Sequence, residues 1–155
     1  MSTGLDTFDK TVQESNLWLK DLMERLNTND RHHAYSTLRA VLHALRDRMG
    51  PEVAAHLAAQ LPMLLRGLFY EGWDPTGKPT KERHEGAFLA HIAKELPRAN
   101  EEEVEQGVYA ALDVLSKHID RGAAVKLASM FPLELHKFWP AFIQEAARER
   151  QAGAA

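Results

Sequence analysis

The sequence predicts an all-α protein: a helical bundle of two tandem, internally duplicated four-helix repeats packed as one domain. Three observations lead there. Apolar residues recur at spacings of three and four along most of the chain. No alternating β-branched run is long enough for a strand. The chain also matches itself without a gap when it is slid by 70 residues.

Taken in order, Phe8, Val12, Ser15, Leu19, Leu22 and Leu26 fall on one face of a first helix, with Ser15 as the weak position. NTND follows, and Asn29 or Asp30 is the expected N-cap of a second helix. That helix carries Ala34, Leu38, Val41, Leu42, Leu45 and Met49 as its apolar stripe. Gly50-Pro51-Glu52 closes it and opens a third, since proline suits the first helical position. The third helix, VAAHLAAQ, runs to Leu61-Pro62, where the proline blocks continuation. A fourth, MLLRGLFYEG, begins there.

The offset of 70 aligns Trp18–Phe69 with Phe88–Trp139, and about 10 of the 52 pairs are identical. Those pairs fall where a core is expected. Leu19, Leu42, Leu45, Ala54, Leu57 and Pro62 meet Leu89, Leu112, Leu115, Ala124, Leu127 and Pro132. Two amphipathic helices can share stripes by chance, but a gapless run of four helices with the same helix-breaking proline points to duplication. Repeat 1 is expected over 5–73, a linker over 74–82 (DPTGKPTKE) and repeat 2 over 83–149, with residues 150–155 fraying. About 70 residues make a marginal core on their own, so the repeats are expected to pack together. Pro140 should kink or restart the last helical segment, which carries Leu135, Trp139, Phe142, Ile143 and Ala146.

Composition narrows the function classes. With 45% apolar and 26% charged residues and a formal net charge of -3, the chain reads as an ordinary soluble globular domain. It has no basic block of the kind nucleic acid requires, and no apolar run near the ~18–20 residues of a membrane span. Neither nucleic acid nor membrane is therefore an expected partner. The opening MSTGLDTFDK has no apolar segment of a signal peptide, and there are no cysteines, so a cytoplasmic location is expected.

The string LRAVLHALRDRMGPEVAAHLAAQLPMLLRGLFYEGWDP, with the later FPLELHKFWP, resembles a bacterial family, domain of unknown function 2267. The resemblance covers nearly the whole chain. It implies a small helical bacterial protein of about this length and carries over no activity, cofactor or catalytic residue.

Chemistry is sparsely signalled. Eight histidines are present, but neither HExxH nor paired Glu-x-x-His occurs. Glu52 with His56, Asp30 with His33, and His84 with His91 share helix faces, and all are expected at surfaces or helix ends. No serine sits in GxSxG and no phosphate-binding glycine loop is present. Glu101, Glu102 and Glu103 follow Asn100 and complement a helix dipole. Arg39, Arg46, Asp47 and Arg48 read as a solvated face, extendable by His32 and His43 at low pH. No catalytic residue, metal ligand or cofactor is expected.

The aromatics divide. Leu68 and Phe69 align with Phe138 and Trp139, which suits a latch holding each fourth helix to its unit. Tyr70 and Trp73 align with Pro140 and Ile143, so they either finish the helix or form, with Asp74, a lip on a groove between the repeats. Tyr70, Trp73, Asp74, Arg66 and His136 are the candidate interaction or groove residues. The leading expectation is a non-enzymatic module that binds a protein partner or forms a homo-oligomer. The alternative is a small-molecule or metal binder, conceivably an enzyme, using the inter-repeat groove.

Overall fold

A computed structural model describes residues 2–154, and among them every regular element is helical. Helix α1 (Asp6–Leu26) ends where Asn27 turns into the left-handed region, φ 52°, a conformation asparagine tolerates at a helix end. Helix α2 (Arg31–Asp47) starts at Asp30, whose Oδ1 accepts from the His33 N–H. Gly50 precedes α3 (Pro51–Gln60), with proline in its first turn, and Pro62 precedes α4 (Met63–Tyr70). After a non-helical stretch come α5 (Glu85–Ala93) and α6 (Glu101–His118). Asn100 and Glu103 start α6 with a reciprocal capping box. Helix α7 (Arg121–Ser129) is capped by Asp120, a 3-10 helix covers Leu133–Phe138, and α8 is Ala141–Ala154.

Helices α2 and α6 form the centre, each with a long run of buried residues. Helix α1 lies across both, α4 and α5 pack on α2, and α7 packs against α8. The early helix α1 thus sits on the late helix α6, and the late helix α5 on the early helix α2. Their apolar residues merge into one core cluster that runs from Trp18 to Ala147. Interleaving of this kind gives one domain, because neither half retains a closed core without the other.

The elements α2, α3 and α4 begin 70 residues before α6, α7 and the 3-10 helix respectively. Several expectations change in detail. On α1, Phe8 and Val12 are exposed, whereas Thr11, Ser15, Trp18 and Leu22 are buried. The buried face is therefore rotated from the predicted stripe, and the weak position Ser15 belongs to it. The element after Pro132 is 3-10 rather than α. Pro140 restarts the chain, its carbonyl accepting from Ile143 and Gln144 N–H. On α8 the residue below Ile143 in the core is Ala147, and Phe142 is exposed. The tail expected to fray from residue 150 is helical to Ala154, with the Gln151 amide donating to the Ser129 and Phe131 carbonyls at 2.6 and 3.0 Å.

Candidate functional site

The arginine-rich segment of α2 is not a solvated face. Arg46 is 5% exposed and His43 3%, and both belong to a polar network joining α2 to α4, α5 and the chain before α5. His43 Nδ1 lies 2.9 Å from both oxygens of Glu95 on the segment after α5, and Nε2 lies 2.8 Å from the Leu68 carbonyl. Each ring nitrogen of His43 thus faces an oxygen acceptor. Arg39 also pairs with Glu95. Arg46 donates through Nε to Asp47 at 2.9 Å, and through Nη1 to the Phe69 and Glu71 carbonyls at 3.1 and 2.9 Å. These are the carbonyls that α4 leaves without helical partners at its C-terminus, so Arg46 acts as its cap.

The network continues through His91 on α5, with Nε2 3.2 Å from Asp47 and Nδ1 2.6 Å from Glu82. Arg48 donates to the Glu82 carbonyl at 2.6 Å and lies over the Phe131 ring, 4.8 Å from its centroid. Burial pulls the Arg48 guanidinium below its ordinary value against the opposing pull of Glu82. For the Glu82 carboxyl, burial is the largest single influence and pushes up. The Thr80 hydroxyl and His91 imidazole beside it outweigh that and hold it low. Nothing here presents a nucleophile to a cleft. The arrangement is a staple, in which α2 holds α4 and α5 by paired charges.

The residues singled out from the sequence fall at separate places. Arg66 is exposed and donates to the Ala58 and Leu61 carbonyls at 2.9 and 3.1 Å, which caps α3. Tyr70 and Trp73 are half-buried, with ring centroids 5.5 Å apart. Asp74 is exposed and accepts from the Thr76 N–H at 2.9 Å, a bond that holds its carboxyl below the usual range. His136 is buried, with Nε2 3.0 Å from the Phe131 carbonyl. Leu68, Phe69, Phe138 and Trp139 are all buried. The His84–His91 pair splits, His84 turning to Glu134 at 3.1 Å and His91 to Asp47 and Glu82. Among the described residues no group of three or more His, Asp or Glu side chains is placed to hold a metal ion.

Apolar side chains reach solvent at several places among the described residues, and two of these are candidate contact surfaces. At the start of α1, Leu5, Phe8 and Val12 are exposed by 50%, 51% and 38%. The first turn of α4 adjoins them, since the Leu64 N–H donates to Thr11 Oγ1 at 2.8 Å, and Met63 and Leu64 are themselves exposed. The second surface is a groove of about 330 Å³ between α3 and α7. Val53, Leu57, Ala123 and Leu127 contribute its apolar lining, with His56 and Lys126 also among the residues that border it. None of Arg66, Tyr70, Trp73, Asp74 or His136 is among the residues lining it.

Fold and surfaces together define an all-α protein with a single core and a charge-stapled interior. No described helix is long and apolar enough to cross a membrane. The chain belongs to the family described as "Uncharacterized conserved protein (DUF2267)", which matches residues 15–152. No curated protein matches it in sequence.

Proposed function

We propose that the protein is a non-enzymatic, self-associating helical module of the cytoplasm. Two copies pair through the start of α1 and the first turn of α4. The observation that carries this reading is the exposure of Leu5, Phe8, Val12, Met63 and Leu64 where those two elements meet. Exposed single apolar residues need no explanation, but a group gathered where two helices meet is a candidate contact face. An isologous contact needs only one such patch per chain.

Light scattering behind size exclusion tests the reading. The mass should rise above 17.5 kDa with concentration. Phe8→Glu with Leu64→Glu should return it to the monomer. A strictly monomeric wild type at all concentrations would overturn the proposal.

The bundle itself we infer to be a duplication of one four-helix unit, repeat 1 over 5–73 and repeat 2 over 83–149, joined by 74–82. Support comes from the matched element starts and from the contact between Thr37 and Gly107, which are 70 positions apart. The α3–α7 groove adds to it, being lined by the pairs Val53 and Ala123, His56 and Lys126, and Leu57 and Leu127 at that same offset.

A further inference from the structure

We propose that the groove between α3 and α7 binds an apolar monocarboxylate, a straight-chain fatty acid of medium length. This goes beyond the self-association reading and concerns a different surface. The floor is supplied by Leu57 and Leu127, both nearly buried, with the half-buried Val53 and Ala123 beside them. One end is closed where α3 finishes and α7 begins, the Gln60 side-chain oxygen accepting from the Asp120 N–H at 3.1 Å. The volume of about 330 Å³ sits at the small end of the ~300–1,000 Å³ typical of small-molecule sites.

Charge selects the head group. The chain carries a formal net charge of -3, yet no carboxylate lines this groove. Its ionisable lining residues are Lys126 and His56, both exposed, and Lys126 has no ion-pair partner among the described residues. The larger cleft between the α1–α2 and α5–α6 corners mixes Asp30, Glu95 and Glu103 with Arg98, and the cleft beside Arg48 mixes Glu82 with Lys81 and Arg83. Neither joins an apolar floor to a rim free of carboxylates. An acyl chain along Leu57 and Leu127, with its carboxylate at the Lys126 ammonium, satisfies both the floor and the rim.

The test is titration of the full-length protein with hexanoate, octanoate and decanoate below their micellar concentrations, read by amide NMR. Shifts should saturate and concentrate on α3 and α7, and each added methylene should tighten binding by about fourfold until the groove is full. Lys126→Glu should weaken octanoate roughly tenfold by replacing attraction with repulsion. Ala123→Phe should abolish binding by occupying the floor. Equal binding of decyltrimethylammonium would overturn the proposal, as would shifts centred on Phe8 and Val12 or an Ala123→Phe protein that binds as before. Absence of saturation at millimolar ligand would overturn it too.

Discussion

Thr37 on α2 and Gly107 on α6 touch, and each is the other's counterpart at the 70-residue offset: a Cβ placed on Gly107 would lie 2.8 Å from Thr37 Cγ2. The crossing of the two central helices is therefore set by the one position in α6 that has no side chain. Thr37 is 1% exposed and β-branched, so its methyl has little room to yield.

Gly107→Ala accordingly tests the crossing. Alanine gains about 1 kcal/mol of helix propensity, whereas overpacking costs about 1–3 kcal/mol, so a net loss of stability is expected. Thr37→Ala, which removes the clashing methyl, should convert Gly107→Ala from destabilising to stabilising in the double variant. Urea denaturation of the four proteins gives the coupling. Additive effects would mean that the helices do not meet there.

Arg46 carries the second prediction. Its guanidinium serves Asp47 and two carbonyls at the end of α4. Arg46→Met keeps most of the apolar stem and leaves the buried Asp47 without that partner. Breaking a buried charge pair typically costs about 3–5 kcal/mol, and a loss at the lower end is expected because His91 still reaches Asp47. Hydrogen exchange should show α4 loosening before α6, since the cap belongs to α4.

What the sequence made legible follows from which physics is local. Helix starts at Asp30, Pro51 and Asn100 depend on neighbouring residues and were readable in order. The core stripes of α2 and α6 were readable for the same reason. The staple was not, because His43 and Glu95 are 52 positions apart and each alone resembles a solvated residue. Pairings such as Asp30 with His33 or His84 with His91 match chance equally well, and only the tertiary fold sorts His43 and His91 from His32 and His84. The change from α to 3-10 after Pro132 also escaped local reading: Pro140 limits the length available, and short runs favour the tighter turn.

The aromatic cluster at the end of α4 predicts a contrast. Phe69 and Trp139 are almost fully buried, whereas Trp73 is half-buried against Tyr70. Phe69→Ala and Trp139→Ala should each lower stability by about 3–5 kcal/mol. Trp73→Ala should cost distinctly less, since part of the side chain is already open to solvent. Thermal melts of the three proteins check the order, and wild-type-like melting of either buried variant would remove the latch.

Acid sensitivity supplies the last test. The Glu82 carboxyl is held below its ordinary value: burial pushes it up, and the surrounding Thr80 and His91 contacts outweigh that. A carboxyl lowered on folding adds stability that is fully present above its unfolded value and lost as pH falls through the folded one. Asp113 has the opposite sign, because burial raises its carboxyl despite the nearby Arg25. Its protonation favours the folded state, so its contribution is lost as pH rises through the raised value. Glu82→Gln should therefore flatten the fall in urea midpoint between neutral and acidic pH. Asp113→Asn should steepen that fall while leaving neutral-pH stability undiminished. Parallel midpoint curves for Glu82→Gln and wild type would show that Glu82 does not couple the α5 staple to pH.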